Sequence, residues 1–503
     1  MTYTIQQIQQ ALKARWLQKI DPEANVEQLL LDSRSITAPR TALFFALSGQ
    51  RHDGHRFLTD CYRAGIRNFI LCREVSLDGM PDANVLLVPD SLLALQALAA
   101  WHRAQFRLPV VGITGSNGKT MVKEWLHQLL PREKMVRSPK SYNSQIGVPL
   151  SVWQIGPEHR LGVFEAGISQ MGEMERLARI IRPDIGLITN LGPAHREGFP
   201  SESVKLQEKM RLFESAKTLV FCADHSEISA AAKAWAAARK GRLLLSWSRT
   251  GQDVAIQFSG FKTQLGGRVK FRIATAASAQ GLQKNRQFQH LNAVLEIPYS
   301  DAASIENACH CITLLLALGY PLSVFSRRLK HLEPVEMRLE LKAGINNCTI
   351  INDAYSNDLA SLRIALHFAQ QQSRDGQITL ILSDFLQTGQ RKDQLYQQVA
   401  AGLLEHHVQR LIAIGPDTGA LLRAKLPTDF NASFYPDTDA FLQNLQAHDF
   451  NADLILIKGA RLFAFERIAQ RLEQKAHKTV LEVNLGAVVH NLNVYNRLLT
   501  PGT

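Results

Sequence analysis

A glycine-rich segment near residue 115 carries residue types that bind phosphate groups. The segment reads Thr114-Gly-Ser-Asn-Gly-Lys-Thr120, with an apolar run before it and a helical pattern over residues 121–130 after it. Glycines let the backbone turn tightly and direct N–H groups at an anion, and the start of a helix adds partial positive charge. Lys119 would reach the outer phosphates of a nucleotide, and the Thr120 hydroxyl would face Mg²⁺. The full P-loop spacing needs a glycine at Ile113, so an ordinary strand-to-helix turn is the alternative.

Three further polar side chains follow apolar runs that have strand character. Glu165 ends one run, and Asn190 and His195 lie at or just after the end of the next. The carboxyl ends of parallel strands meet at one edge of a sheet, where ligands collect. A carboxylate and an imidazole at that edge could hold Mg²⁺ beside the glycine-rich turn. Taken singly, such residues are more often salt-bridge partners or ordinary loop residues.

The elements that must position these residues are strands alternating with helices, which predict an α/β fold with largely parallel sheets. The pattern divides the chain into a small α/β unit (1–107), a unit that holds the glycine-rich turn (108–333) and a further doubly wound unit (334–476). Residues 477–503 begin a new strand and helix. One strand and one helix cannot bury a core alone, so we expect the chain to end inside a further domain.

Periodicity within these units gives more local expectations. It predicts helices over residues 5–16 and 91–107 and an antiparallel strand region within residues 258–273. In the third unit, predicted strands end at Asp353 and Lys458, which places two more charged groups at one sheet edge.

Composition excludes several classes of protein. The chain has 503 residues, 46% of them hydrophobic and 20% charged, as in ordinary globular proteins with several domains. No apolar run reaches the roughly 18 residues of a membrane span, and the N-terminus lacks the layout of a signal peptide. The six cysteines are scattered, with no CxxC pair or zinc spacing. We therefore expect a cytoplasmic protein with reduced thiols and no membrane partner.

The formal net charge of +12 indicates an anionic partner. The basic residues are dispersed, and neither a block of five Lys or Arg residues nor an RNA-binding aromatic motif occurs. An anionic metabolite is therefore favoured over nucleic acid.

Five motifs in order resemble those of the Mur ligases, the ATP-dependent amide-forming ligases of peptidoglycan precursor synthesis. The motifs are Thr114-Gly-Ser-Asn-Gly-Lys-Thr120, Asn143-Ser-Gln-Ile-Gly-Val-Pro149, Glu165-Ala-Gly167, Thr189-Asn-Leu-Gly-Pro-Ala-His195 and Asp353-Ala-Tyr-Ser-Asn357. The resemblance covers about residues 25–475. It implies a three-domain α/β architecture with a P-loop-type central parallel sheet and a Rossmann-like C-terminal domain. It also makes the missing glycine at Ile113 a trait of the family.

The resemblance implies a set of site residues around ATP and Mg²⁺. The expected ATP contacts are Gly115, Ser116, Asn117, Gly118, Lys119, Thr120, Asn190, Asn307, Arg338 and Asp353. The expected Mg²⁺ ligands are Thr120, Glu165, His195 and Lys209. Lys209 corresponds to a lysine that the family carbamylates, which would turn a cation into an anionic ligand. Together Lys119, Lys209, His195 and Glu165 would form the catalytic group.

The N-terminal motifs are similar to those of one member, which adds D-alanyl-D-alanine to UDP-N-acetylmuramoyl-tripeptide through an acyl phosphate. Asp32-Ser-Arg34 and Asp53-Gly-His55 would make Ser33, Arg34, Asp53 and His55 the contacts to the uridine nucleotide. Lys458 and Arg461 would face the carboxylate of the incoming dipeptide.

Several positions depart from the family pattern. Ala303-Ser304 replaces the usual His-Asn before Asn307, Arg211 stands where an acidic residue is usual, and Lys205 lies one helical turn from Lys209. For the function of the chain, the alternatives are another Mur-type ligase, an enzyme similar to folylpolyglutamate synthetase, or a non-catalytic scaffold. For Lys209, the alternative to a carbamylated residue is an ordinary lysine exposed to solvent on its helix.

The tail, Thr479-Val-Leu-Glu-Val-Asn-Leu-Gly-Ala-Val-Val-His-Asn-Leu492, resembles the opening of a fold-type III alanine racemase. The resemblance implies a fusion cut short before the lysine that would bind pyridoxal phosphate, so we expect no racemase activity from this chain. The ligase part would be monomeric, and a full-length fusion could dimerise through the racemase domain.

Overall fold

The computed structural model describes residues 2–474 except 35, 37, 50–52, 193–197, 252, 265–266, 276–290, 336–338, 355–356, 374–377, 387–389, 447–449 and 452–453. Beyond residue 474 it describes only residues 491, 492 and 495. Two predicted site residues, His195 and Arg338, and nearly all of the racemase-like tail therefore lie outside the described residues.

The N-terminal unit is a small sheet with helices. Its strands are β1 (Tyr3–Thr4), β2 (Arg15–Gln18), β3 (Asn25–Val26), β4 (Gln28–Leu30), β5 (Ala42–Phe45), β6 (Asn68–Leu71) and β7 (Asn84–Leu87), and its helices are α1 (Ile5–Leu12), α2 (Leu58–Arg63) and α3 (Ser91–Ala104). The main sheet has the order β2-β7-β6-β5-β4 and is parallel except at β2. Strands β1 and β3 form a separate antiparallel pair.

The central unit is built on a nine-stranded sheet, here called the central sheet. Its strands are β8 (Val110–Thr114), β9 (Met135–Arg137), β10 (Leu161–Glu165), β11 (Ile185–Ile188), β12 (Thr218–Cys222), β13 (Leu243–Ser248), β14 (Ile256–Thr263), β15 (Val269–Thr275) and β16 (Asn292–Ile297). Its helices are α4 (Lys119–Leu129), α5 (Gly147–Val152), α6 (Glu173–Ile181), α7 (Glu202–Met210), α8 (Ser226–Ala237), α9 (Ala302–Ala317) and α10 (Leu322–Leu329). The order is β16-β15-β14-β13-β12-β11-β8-β10-β9, and only β15 runs antiparallel to its neighbours, β14 and β16.

The C-terminal unit has a six-stranded sheet. Its strands are β17 (Glu340–Ala343), β18 (Thr349–Asp353), β19 (Ile378–Ser383), β20 (Val408–Ile414), β21 (Ala432–Tyr435) and β22 (Leu454–Lys458), and its helices are α11 (Leu359–Gln372), α12 (Lys392–Glu405), α13 (Thr438–Asn444) and α14 (Glu466–Leu472). The order is β17-β18-β22-β19-β20-β21, and only β17 is antiparallel to its neighbour.

Strand β8 shows how the central sheet positions the glycine-rich turn. All five of its residues are buried, because helices cover both faces of the sheet. Val111 and Ile113 pack into the core that contains Trp125 of α4, whereas Val110 packs into the core on the other face. Neighbouring strands β10 and β11 run parallel to β8 on either side. The carboxyl ends of all three strands therefore lie at one edge, as the sequence predicts.

Two local predictions need correction. The first helix ends at Leu12 and not at residue 16, because Lys13 adopts a left-handed conformation (φ 51°) and its N–H caps the helix, after which Arg15–Gln18 form strand β2. The helix predicted over residues 91–107 ends at Ala104. The antiparallel region is confirmed, since β14 pairs antiparallel with β15. The exact domain boundaries stay predictions.

The state of the cysteines agrees with the predicted reduced thiols. All six cysteines are free, and all except Cys72 are buried. Among the described residues, no helix combines the length and apolarity needed to cross a bilayer. The cytoplasmic location stays a prediction.

A buried histidine joins the N-terminal unit to the central unit. His102 of α3 is 1% exposed, and its Nδ1 lies 2.8 Å from the Tyr3 hydroxyl. Its Nε2 lies 3.0 Å from the carbonyl oxygen of Ile155, which follows α5. The neutral ring satisfies both contacts if Tyr3 donates to Nδ1 and Nε2–H donates to the carbonyl. Burial lowers the pKa of His102 to about 4.

This histidine predicts a loss of stability in mild acid. The unfolded state takes up a proton near pH 6.5, whereas the folded state does so only near pH 4, so stability falls as pH drops between these values. The free energy of unfolding should fall by on the order of 3 kcal/mol over this range because of His102. Thermal unfolding midpoints of the wild type and of His102→Gln, measured across this range, should converge towards pH 4. Parallel pH profiles for the two proteins would show that His102 is not responsible.

Candidate active site

The glycine-rich turn joins β8 to α4 and requires glycine at two positions. Gly115 has φ 142°, and a Cβ there would lie 1.9 Å from Thr189 Oγ1. Gly118 has φ 84°, and a Cβ there would lie 2.3 Å from Asn307 Oδ1. Both conformations are unfavourable for other residues. The turn leads into α4, an 11-residue helix that begins at Lys119, so the predicted strand, turn and helix are present.

The segment that follows β11 holds the turn in shape. The backbone N–H of Asn117 donates to Asn190 Oδ1 at 2.9 Å, and that of Ser116 donates to the Asn190 carbonyl at 2.9 Å. Thr189 Oγ1 donates to the carbonyl of Asn117 at 2.6 Å. Asn190 therefore stabilises the conformation of the glycine-rich turn through two hydrogen bonds from its backbone. The predicted contact of Asn190 with ATP stays a prediction.

Helix α9 brings Asn307 to the same turn. Asn307 is 7% exposed, and its side chain sits beside Gly118. The departing pair Ala303-Ser304 lies in the first turn of α9, where Ser304 N–H donates to the capping Asp301 carboxylate at 2.8 Å. Ser304 thus belongs to the start of the helix, and the predicted contact of Asn307 with ATP stays a prediction.

The same helix carries a polar cluster that the sequence reasoning missed. Glu306 Oε1 lies 3.0 Å from His225 Nε2, and His310 Nε2 lies 3.1 Å from the carbonyl of Thr189. Burial opposes ionisation of Glu306, but hydrogen bonds from His225 and His310 outweigh it and lower its pKa to about 2. Through the contact between His310 and Thr189, the cluster stabilises the segment that follows β11 and binds the glycine-rich turn. The spacing of Glu306 and His310 by four residues on one helix is the signal that could have revealed it.

Two lysines place their amino groups at Gly115. Lys119 Nζ donates to the carbonyls of Gly115 at 2.7 Å and Ser116 at 3.0 Å. Lys209 Nζ, from α7, donates to the Gly115 carbonyl at 3.1 Å. The structure therefore brings together two lysines that are 90 residues apart in the sequence, as the resemblance implies.

Lys209 is buried and not solvated. It is 3% exposed, and burial lowers its pKa well below its usual value, with Lys119 and Lys205 adding repulsion. The solvated alternative is therefore wrong. A neutral amine is the form that reacts with CO₂ to give a carbamate, so the environment is compatible with the predicted modification.

A pair of oxygens beside the turn fits a hard divalent cation. Thr120 Oγ1 donates to Glu165 Oε2 at 3.0 Å, and the Glu165 side chain is fully buried. Glu165 Oε1 accepts no hydrogen bond, although it lies 3.0 Å from Lys123 Nζ. Mg²⁺ prefers such carboxylate and hydroxyl oxygens. Among the described residues no group of three or more His, Cys, Asp or Glu could hold a metal, so the predicted site depends on Thr120, Glu165, modified Lys209 and the undescribed His195.

A cavity of about 410 Å³ lies beside the glycine-rich turn. Lys119 and Lys209 line it together with Gly115, Asn143 and Ser169. Its size suits part of an extended anionic substrate placed next to the phosphate cradle.

The N-terminal site residues form two local ion-paired groups. Arg34 pairs with Asp32 at 2.7 Å, which lowers the pKa of Asp32 to about 2, and the Arg34 side chain is mostly exposed. Asp53 accepts from His55 Nδ1 at 2.7 Å and pairs with Arg73 at 2.5 Å. His55 is buried, so Asp53 would orient it while Arg34 stays open to a ligand. Ser33 lies between Asp32 and Arg34 and is half-buried. Their contacts with a nucleotide stay predictions.

The C-terminal site residues show one unexpected pairing. Asp353 and Lys458 end adjacent strands β18 and β22 in register, and their side chains pair at 2.7 Å. Lys458 is 0% exposed, so it faces Asp353, and its predicted contact with a dipeptide carboxylate would require rearrangement. Arg461 lies on the exposed turn that follows β22 and is the better placed cation.

Comparisons with known proteins agree with this geometry. The family model for the Mur ligase middle domain matches residues 113–314, and that for the Mur ligase glutamate ligase domain matches residues 337–461. Together they cover more than half of the chain.

Individual proteins are similar to this chain over most of its length. The UDP-N-acetylmuramoyl-tripeptide--D-alanyl-D-alanine ligase of Bacillus subtilis is 27% identical over 443 residues, which are 86% of this chain and 90% of that protein. A crystal structure of MurF from Acinetobacter baumannii superposes with a TM-score of 0.76 at 24% identity and covers 94% of this chain and 99% of that chain. MurF ligase from Thermotoga maritima in complex with ADP gives a TM-score of 0.70 at 20% identity, covering 88% and 96%. The predicted three-domain α/β architecture is confirmed, and the chain belongs to the Mur ligase family of ATP-dependent, amide-bond-forming ligases.

Proposed function

We propose that this chain joins D-alanyl-D-alanine to UDP-N-acetylmuramoyl-tripeptide in peptidoglycan precursor synthesis, using ATP. The observation that carries the proposal is that Lys119 and Lys209 meet at Gly115 and line one cavity, while the Thr120–Glu165 pair lies at the start of the helix that follows the same turn. The relative from Bacillus subtilis, similar over most of both chains, supports the choice of substrates.

The chemistry requires cations because two anions must meet. A carboxylate oxygen of the tripeptide attacks the γ-phosphorus of ATP, the bond to the ADP oxygen breaks, and an acyl phosphate forms. The dipeptide amine then attacks the acyl carbon, and phosphate leaves with the oxygen that came from the carboxylate. Lys119 and the backbone N–H groups of the turn would bind the phosphates, and Lys119 would stabilise the charge that develops during transfer.

The residues of the turn also fit a magnesium ion. Thr120 and Glu165 would hold it, with His195 and carbamylated Lys209 completing the ligands. When bound, Mg²⁺ would neutralise charge on the β- and γ-phosphates.

The outer units would supply the rest of each substrate site. Ser33, Arg34, Asp53 and His55 would bind the uridine nucleotide. From the C-terminal unit and its linker, Arg338 and Asp353 would reach the ATP, and Arg461 would meet the dipeptide carboxylate, with Lys458 as the predicted second cation. Approach of the C-terminal unit would exclude water, which otherwise hydrolyses the acyl phosphate.

The racemase hypothesis is separate from this proposal. It depends only on the sequence of residues 479–492, and pyridoxal phosphate would serve only a racemase domain. The ligase function does not depend on it, and neither does the proposed monomeric state of the ligase part.

Substrate dependence tests the proposed function. The purified chain should release phosphate from ATP only when the UDP-linked tripeptide and D-alanyl-D-alanine are both present, with the ligated product in equal amount. Equal release driven by a folate and glutamate would contradict the proposal. A chain that binds ATP but ligates nothing would favour the scaffold alternative.

A further inference from the structure

Helix α4 contains a fully buried cation whose role the proposed chemistry does not use. Lys123 is 0% exposed, and it follows Thr120 by three residues on the same helix. Burying an ammonium group costs several kcal/mol unless charges and hydrogen bonds compensate it. Its partners therefore indicate why the position carries a lysine.

Lys123 Nζ contacts two carbonyl oxygens and two carboxylates. It donates to the carbonyls of Ser138 at 2.7 Å and of Lys140, and it lies 2.9 Å from Glu124 Oε1 and 3.0 Å from Glu165 Oε1. An ammonium has three protons for these four acceptors. Glu165 Oε1 is the one left without a hydrogen bond, so Lys123 holds it by charge.

These contacts fix both ends of the Glu165 carboxylate. Oε1 points to Lys123, which leaves Oε2 with the Thr120 hydroxyl at 3.0 Å. The backbone N–H of Glu165 donates to Ser138 Oγ at 3.2 Å, so the segment that Lys123 binds also binds Glu165.

The same lysine stabilises the segment opposite Thr120. Lys140 has φ 48°, a left-handed conformation that is unfavourable for a lysine, and its carbonyl accepts from Lys123. The next residue, Ser141, places its hydroxyl 2.9 Å from Thr120 Oγ1. Lys123 thus helps to order both side chains that contact the Thr120 hydroxyl, Glu165 and Ser141.

We propose that Lys123 is a positioning residue that presents a single oxygen of Glu165, Oε2, to the catalytic divalent cation. By compensating the charge of Oε1, it keeps the carboxylate in one orientation and ready for monodentate coordination. The inference rests on the proposed function only in assuming that a divalent cation binds with the nucleotide at Thr120 and Glu165.

Mn²⁺ binding to the chain saturated with ADP, followed by electron paramagnetic resonance, tests this role without ligation. Lys123→Met should weaken Mn²⁺ binding by about tenfold or more, as is typical when a residue that orients a metal ligand is lost. Glu124→Gln is the matched control, because it removes the other carboxylate partner of Lys123 and leaves Glu165 in place. It should leave Mn²⁺ binding unchanged, whatever it does to the unfolding midpoint.

A double mutant distinguishes a role of Lys123 in orienting Glu165 from a general role in packing. In Glu165→Gln, adding Lys123→Met should cause no further loss of Mn²⁺ affinity, because Lys123 acts through Glu165. Wild-type Mn²⁺ affinity in Lys123→Met, or an equal further loss in the Glu165→Gln background, would overturn the proposal. Should Lys123→Met fail to fold, Lys123→Gln, which can still donate to a carbonyl, takes its place with the same expectations. Because neither peptide substrate is present, a failure of the ligation test would not affect this result.

Discussion

Replacing Lys119 by alanine should lower kcat/KM for ligation by about 10²–10³-fold, the usual cost of removing a charged group that stabilises a developing anion. The Lys119 amino group lies within 3.0 Å of two carbonyls of the glycine-rich turn, where phosphates would bind. The loss should appear in kcat as well as in KM, because the negative charge grows during phosphoryl transfer. Steady-state phosphate release with both peptide substrates measures it.

Lys217→Ala is the control for Lys119→Ala. Lys217 is an exposed lysine of the same unit, and it lines a cavity with Arg182 and Pro183 at the start of the central strands, away from the turn. It should retain wild-type activity. Wild-type ligation by Lys119→Ala would rule out the proposed phosphate site.

Replacing Lys209 by alanine should reduce ligation by a similar factor, about 10²–10³-fold, if a carbamate on this lysine acts as an anionic ligand. Burial lowers the pKa of this amine, and the neighbouring Lys119 and Lys205 lower it further. Removing the side chain leaves a space beside the turn that a small carboxylate such as propionate can enter. Added propionate should therefore restore part of the activity.

Lys119→Ala is the comparison for this rescue, because a carboxylate cannot replace a lost cation. Propionate should leave its activity unchanged. Full activity of Lys209→Ala without any addition would contradict a catalytic role for Lys209. The intact mass of the wild-type chain, measured in bicarbonate, should show the added CO₂.

Much of the fold follows from local pattern. The apolar run before Gly115 is buried on both faces of the central sheet, and such runs alternating with helices are typical of parallel sheets. That periodicity places Glu165 and Asn190 at the same edge as the glycine-rich turn. The proximity of Lys209 to Gly115 comes instead from the resemblance, since no spacing in the sequence connects α7 to the turn.

Charge pairing is what the pattern cannot predict. A lysine at the end of a strand looks the same in sequence whether it faces solvent or, like Lys458, a carboxylate on the next strand. Lys123 resembles any polar residue of an amphipathic helix, yet its neighbours bury it completely. The strand at Arg15–Gln18 could not be predicted from the periodicity for a related reason. The left-handed conformation of Lys13, which ends the helix before it, depends on how the following residues pack. Such features are set by tertiary contacts and not by local propensity.

The transfer of oxygen from substrate to phosphate tests the central claim most directly. Ligation is run with the tripeptide carboxylate labelled with ¹⁸O, and the released phosphate is analysed by mass spectrometry. Attack of that carboxylate on the γ-phosphorus predicts phosphate that carries one labelled oxygen, formed in step with the amide product. Amide product accompanied by unlabelled phosphate would contradict the acyl-phosphate route and the role assigned to the cations around Gly115.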